Sequence, residues 1–327
     1  MALTGTNALE HDYDTLRERC GLLDRSERGK LSLTGPGAVE FLNGQITNEL
    51  ATLRPGEGCY AAFLTHKGKM LGDVRVLAVG VQDDGPVGKL LLDTERSTLQ
   101  ALFDMIRRFK VGFEVEMDKR TLECGLLSLI GPQAQSLAGA EGLGVDEHRN
   151  GPVRIDGLAA RAVRSDVGVD LICDAPDTAG LRRALEDRGA RAVSEQAAEC
   201  LRIERGRPRY GVDLDDSVIP QEAGLNDRAV SFTKGCYVGQ ETVARLHWRG
   251  KPNRHLRGLR LSEPVPPGAE LRLGDRVVGR LASSAVSPRL GPIALALVRR
   301  EAAPGAVLAV GDAGATAEVR ELPLDAD

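Results

Sequence analysis

Lys234, Cys236 and Glu241 fall within one run of eight residues, Lys234-Gly235-Cys236-Tyr237-Val238-Gly239-Gln240-Glu241. A cation two positions before a thiol favours the thiolate, the form that attacks electrophiles and binds metals. Thr233 can cap a helix beginning here, and Val238, Val243 and Leu246 recur at roughly helical spacing. That spacing puts Cys236 at or just before a helix N-terminus, whose partial positive charge again favours the thiolate. Gly235 and Gly239 are poor helix formers, so the backbone there is expected to approach something closely or take unusual dihedrals. A small buried cysteine at a helix start is the plain alternative for a lone thiol. The run taken whole points to function.

The elements that must position this run show an internal echo. Leu31-Ser32-Leu33-Thr34-Gly35-Pro36-Gly37-Ala38 is matched by Leu127-Ser128-Leu129-Ile130-Gly131-Pro132-Gln133-Ala134. Each copy reads as a strand, a glycine turn and a proline at the first position of a helix. In the first half a strand–turn–strand segment follows, residues 59–64 and 70–79 around His66-Lys67-Gly68-Lys69, then a helix over 95–109. The second half repeats this with strands over 153–159 and 168–173 and a helix over 177–188. Two similar α+β halves leave a cleft, a natural place for a ligand. A helix over 195–204 breaks at Gly206-Arg207-Pro208, and the irregular stretch 209–233 leads into the run. Past Gly250, Pro and Gly punctuate short β-type runs at 256–261, 276–285, 293–298 and 306–310, as in a small all-β barrel or sandwich. The expected division is therefore 1–250, in halves of roughly 1–120 and 121–250, and 251–327.

Composition excludes several classes. The 327 residues carry 43 Lys+Arg against 47 Asp+Glu, well mixed, which argues against general nucleic-acid binding. Aromatic residues at 3% supply no extended base-stacking surface. Six widely spread cysteines, without a Cys-x-x-Cys pair, read as reduced thiols rather than a disulfide or zinc framework. The five histidines are scattered, so no metal site is expected. No signal peptide or membrane-length apolar run is seen, and a cytoplasmic location without membrane association is expected. Phosphate-loop, dinucleotide, zinc-helix and nucleophile-elbow motifs are absent.

The run, with Ala244-Arg245-Leu246-His247 and Gly250 after it, resembles the diagnostic motif of the YgfZ family of folate-binding proteins. That family includes the mitochondrial iron–sulfur assembly factors and is related to the glycine-cleavage aminomethyltransferase. Leu33-Thr34-Gly35, residues 41–48, Leu201-Arg202-Ile203-Glu204-Arg205-Gly206 and Val218-Ile219-Pro220-Gln221-Glu222 are similar to the family's other recurring segments. The resemblance implies an aminomethyltransferase-like α+β fold, with duplicated halves around a central tetrahydrofolate pocket and a C-terminal β-barrel. It also implies that Glu204 binds the pterin, where two carboxylate oxygens suit paired N–H donors; a solvated glutamate late in a helix is the competing reading. Asp73 matches one member of an Asp-Asp pair in the aminomethyltransferase branch, and Gly72 stands beside it, which counts against aminomethyl transfer. Gly224 stands where the family often has Asn. Tyr237, Gln240 and Arg245 are the further candidate folate contacts.

The leading expectation is a tetrahydrofolate-binding protein that assists iron–sulfur cluster assembly or repair, serving client enzymes or assembly factors. Cys236 would be its reactive group, activated by Lys234. A folate-dependent aminomethyl or methyl transferase is the alternative, and a protein-binding scaffold with a structural cysteine is the third reading. His247 lies about three helical turns beyond Cys236, on the order of 15 Å, and is not expected to be its base.

Overall fold

The computed structural model describes residues 5–80, 87–312 and 314–324. The chain forms two compact units. One comprises residues 14–193 with 228–240; the other gathers 194–227 and 241–327 with the N-terminal residues up to 13. Helix α1 (Gly5–Glu18), which the sequence reading did not anticipate, precedes strand β1 (Gly21–Asp24).

In the first unit the echo is a duplication of topology. The first copy is β2 (Gly29–Thr34), α2 (Ala38–Asn43), β3 (Gly58–Leu64), β4 (Met70–Gly80), β5 (Val87–Thr94), α3 (Leu99–Phe109) and β6 (Glu116–Lys119). The second is β7 (Cys124–Ile130), α4 (Ala134–Leu137), β8 (Asn150–Ile155), β9 (Leu158–Arg164), β10 (Gly168–Asp174), α5 (Thr178–Asp187) and β11 (Arg191–Ala192). The first sheet runs β3-β4-β5-β2-β6, the second β8-β9-β10-β7-β1-β11. Both therefore contain the same antiparallel four-strand order, with β1 added in the second beside β7. The stretch 153–159 is not one strand: Asp156 and Gly157 take positive φ (51° and 84°) and turn β8 into β9. Pro36 and Pro132 lie in the turn before the helix, not at its first position, because α2 and α4 start at Ala38 and Ala134.

The glycine of each copy is required. Gly35 (φ 101°) and Gly131 (φ 127°) turn the strand end back, and a Cβ there would lie 2.3 Å from Glu114 O and 2.5 Å from Arg19 O. Each half has its own core. Phe41, Phe63, Val76 and Leu102 centre the first, and Leu127, Leu129, Leu171 and Leu185 the second. Along β4, the alternate residues Val74, Val76 and Ala78 enter the core, which turns Asp73, Arg75 and Leu77 to the opposite face.

The second unit carries α6 (Glu195–Glu204), the first half of α7 (Asn226–Ala229), most of α8 (Gln240–Arg249) and six strands. These are β12 (Arg254–Leu261), β13 (Glu270–Leu273), β14 (Arg276–Ser287), β15 (Gly291–Arg299), β16 (Val307–Val310) and β17 (Ala315–Arg320). They close in the order β12-β15-β14-β13-β16-β17. Closure leaves no open edge, and alternation fills the interior with Leu259, Leu271, Leu308 and Val319.

Gly131→Ala should lower unfolding free energy in urea by about 2 kcal/mol more than Gly157→Ala. Both sites have positive φ, but a Cβ at Gly157 meets nothing within 4 Å. Equal losses would show that close backbone approach is not what fixes this glycine.

Candidate functional site

The run at 234–241 does not begin a helix. Residues 234–239 are loop, and α8 starts at Gln240, four residues past Cys236. Nor does Lys234 point at the thiol. Its ammonium donates to Asn43 O (2.6 Å), Asn43 Oδ1 (3.1 Å), Ile46 O (2.9 Å) and Asn48 O (2.6 Å). The expectation of a helix-capped cysteine beside an activating lysine is corrected accordingly. Local spacing could not show that the backbone after α2 offers oxygens at a better distance. Burial pulls Lys234 down to about 8, which still leaves it protonated at neutral pH, as four acceptors require.

Lys234 and Tyr237 are buried, whereas Gly235 and Cys236 between them are exposed. The Lys234 Nζ sits 5.2 Å from the Tyr237 ring centroid, and burial pushes the Tyr237 phenol up to about 12. Gly239 meets the expectation for a special glycine: its φ is 85°, and a Cβ would lie 2.6 Å from Thr65 O. Gly235 does not, since a Cβ there meets nothing. Cys236 is thus an exposed thiol on a tip pinned on both sides.

The same receiving segment, residues 43–48, reaches a buried carboxyl. Thr47 Oγ1 donates to Ala229 O at 2.5 Å and accepts from Ala62 N at 2.9 Å. Asn48 Nδ2 donates to Tyr60 O (2.8 Å) and to Arg228 O (3.2 Å). The Tyr60 hydroxyl donates to Asp73 Oδ2 at 2.6 Å, and the Arg228 guanidinium stands 5.2 Å from the Tyr60 ring centroid. Asp73 is only 7% exposed, and burial pushes its carboxyl up to about 6 despite the Tyr60 hydrogen bond and the Arg28 charge. The structure therefore links Lys234, Tyr237 and Cys236 to Asp73 through Asn48 and Tyr60. Sequence reasoning named neither Asn43, Thr47, Asn48, Tyr60 nor Arg228 as site residues. The resemblance over residues 41–48 and the alternation of Tyr60 with core residues on β3 were the available signals.

Of the other expected residues, Glu204 and Arg245 lie in the second unit and Gln240 is the last residue of the first. Glu204 is 0% exposed. The Tyr13 hydroxyl lies 2.9 and 2.8 Å from its two oxygens, and the Ser287 hydroxyl donates to Oε1. Close by, Arg202 bonds Glu199 (2.6 Å), Asp213 (2.7 Å) and the Ser283 hydroxyl. Arg245 is exposed on α8, and Gln240 opens that helix with its N–H on Tyr237 O at 3.2 Å. Among the described residues, no three His, Cys, Asp or Glu side chains gather as metal ligands do, and no helix is long and apolar enough to cross a membrane.

Two halves joined to a closed barrel, with a buried carboxyl on the first-half hairpin, define a class. Residues 4–234 match the GCVT N-terminal domain and 254–324 the glycine cleavage T-protein C-terminal barrel domain. The chain belongs to the glycine cleavage T-protein family. Its relatives include the aminomethyltransferases of Streptomyces avermitilis (31% identical) and Streptomyces coelicolor (30%). Each aligns over 313 residues, 90% of this chain and 82% of the relative. A putative chloroplastic transferase of Arabidopsis thaliana is 28% identical over 80% of this chain and 61% of its own length. The crystal structure of the glycine cleavage system aminomethyltransferase T from Bartonella henselae superposes with a TM-score of 0.85, at 23% identity, over 97% of this chain and 89% of that one. The fold is the aminomethyltransferase-like fold.

Lys234→Met should lower stability by about 3 kcal/mol, because it takes a charged donor away from the Asn43, Ile46 and Asn48 carbonyls, of which the Ile46 bond is buried and the other two are part-buried. Amide exchange at 235–239 should accelerate with it. Stability loss without faster exchange there would contradict a clamping role. For Asp73, a folded pKa of about 6 against the ordinary 3.8 means that between these values the folded state holds a proton that the unfolded state has released. Its contribution is present below pH 4 and is lost as pH rises through 6, by about 3 kcal/mol. Asp73→Asn should flatten that fall in urea titrations run from pH 4 to 7, and an unchanged slope would count against the burial argument.

Proposed function

We propose that this chain binds tetrahydrofolate and transfers an aminomethyl or methyl group, with Asp73 as general acid–base. The observation that supports this most is a buried carboxyl pushed up to about 6 and held in one orientation by Tyr60 at 2.6 Å. A group with that pKa exchanges protons readily near neutral pH, the condition for efficient general acid–base work. The aminomethyltransferase relatives support the same class of reaction. Asp73 fits a ligand nitrogen, since its Oδ1 has no hydrogen bond to the described residues while Tyr60 occupies Oδ2. Tetrahydrofolate supplies the ring nitrogens that carry the one-carbon unit. Glu204 pairs with the pterin edge only if the Tyr13 or Ser287 hydroxyl gives way, because both already face its oxygens. Tyr237, Gln240 and Arg245 are the remaining proposed contacts. Gly72 in place of a second aspartate leaves Asp73 as the acid–base group of that hairpin.

A second reading is favoured by Cys236: a YgfZ-type folate-binding factor that assists iron–sulfur cluster assembly or repair. An exposed thiol on a loop clamped by a buried lysine is displayed for a partner. In this reading Lys234 holds the loop, and Cys236 engages the cluster or a thiol of the client protein.

Equilibrium dialysis against tetrahydrofolate, followed by a turnover assay for methylenetetrahydrofolate from aminomethyl donors, distinguishes the readings. The transferase reading expects binding, turnover, and a loss of about 100-fold in kcat for Asp73→Asn with folate affinity kept within a few-fold. Binding without turnover, joined to loss of a cluster-dependent enzyme's activity in cells carrying Cys236→Ala, would select the second reading. No folate binding at all would remove both.

A further inference from the structure

A half-open cavity of about 250 Å³ lies in the first unit, between the faces of its two sheets. None of Asp73, Tyr60, Lys234 and Cys236 lines it. Its walls combine an apolar floor with charged groups. Leu77 and Leu91 come from the first sheet and Ala160 and Ile172 from the second. Around them stand the cations Lys30, Lys89, Arg120 and Arg161, opposed by Asp93 and Asp174.

Asp93 is already committed. It accepts from Arg28 at 2.9 Å and from Arg75 at 2.8 Å, and those two arginines hold its carboxyl below the usual range although burial opposes them. Cationic charge is left in excess around the cavity. Lys89 forms no ion pair among the described residues, and the Arg120 Nε–H is buried without an acceptor although its Nη1 reaches Glu123 at 2.6 Å. A buried donor left unmatched beside a cavity calls for an acceptor inside it. A space of this size holds roughly eight water volumes, too little for a whole folate and enough for a short chain or a small ring.

We propose that this cavity is a second binding site, for a small carboxylate with an apolar chain or ring, its tail on Leu77, Leu91, Ala160 and Ile172 and its carboxylate toward Lys89 and Arg120. The site belongs to the duplication, because neither sheet alone encloses it. It does not depend on the folate reading.

Hexanoate is the probe and hexanol its uncharged counterpart, each titrated into the full-length protein by ligand-observed NMR. Cys124, which lines the cavity, and Cys236, which does not, provide a second readout through site-resolved alkylation. Hexanoate should bind saturably and at least 10-fold more tightly than hexanol, slowing alkylation of Cys124 but not of Cys236. Its Kd should rise at least 10-fold in Ala160→Phe, which fills the floor, and 3- to 10-fold in Lys89→Gln. Should Ala160→Phe fail to fold by circular dichroism, Lys89→Gln and the Cys124 rate decide. Saturating tetrahydrofolate should leave hexanoate binding unchanged. Equal affinity for hexanol, unchanged Kd in Lys89→Gln, absence of saturable binding, or competition with tetrahydrofolate would each overturn the proposal.

Discussion

One buried ammonium organises the candidate site. Lys234 brings a positive charge to a place where the chain after α2 presents three carbonyls and an amide oxygen, all within 3.1 Å. It acts as a bound cation would, except that it is tethered to the segment it secures. Removing an ammonium from water is costly, and the fall of its pKa to about 8 reflects that cost. The oxygens offset it by replacing hydration, although Asn43 Oδ1 also accepts from Leu50 N at 2.8 Å. Two segments far apart in sequence are therefore held together by mutual need. What stands on that clamp is the exposed Cys236 on one side and, through Asn48 and Tyr60, the Asp73 carboxyl on the other.

A second buried charge system joins the two copies of the duplication. Arg28 and Arg75 share Asp93, and Arg75 extends to Asp170 at 2.6 Å, which also accepts from the Ser128 hydroxyl at 2.6 Å. Arg75 and Asp93 belong to the first sheet, Asp170 and Ser128 to the second. Buried ion pairs are weak sources of net stability, since desolvation cancels much of their attraction. Their effect here is on registry: sliding one sheet against the other by a residue leaves a guanidinium or a carboxylate buried and unpaired.

Much of this architecture was legible in the chain because it rests on local rules. The two Gly-Pro turns, the helix at 195–204, the helix expected over 177–188 and found at Thr178–Asp187, and the β-rich tail all follow from turn chemistry and periodicity. The duplicated echo pointed to two halves, and glycines at 35 and 131 showed why it recurs: only they tolerate the close backbone. The site was less legible. The 234–241 run was visible as unusual, but a helix cap was inferred from Thr233 and the apolar spacing, whereas Lys234 is claimed by oxygens about 190 residues away in sequence. No local pattern carries a contact of that range. The β8–β9 hairpin was missed for a different reason: Asp156-Gly157 is a local turn signal, but it sits inside what reads as one apolar-alternating stretch. Glu204 carried a resemblance, yet its partners Tyr13 and Ser287 come from opposite ends of the chain.

The sharpest electrostatic feature is the contrast between Asp73 and Asp93 on neighbouring strands. Both are almost fully buried, and desolvation is the largest influence on each. Asp93 has two guanidinium groups in direct contact, and their attraction overcomes burial and lowers its pKa. Asp73 has a phenol in place of a guanidinium, so burial wins and its pKa rises to about 6. A phenol can orient a carboxyl and donate to it but brings no full charge to hold it ionised. The same sheet face thus carries one carboxylate fixed as an anion for structure and one left able to gain or lose a proton near neutral pH. Environments that push two like groups apart are how one scaffold separates a structural charge from a chemical one. The contrast follows from the two arginines that contact Asp93 and the phenol that stands in their place at Asp73.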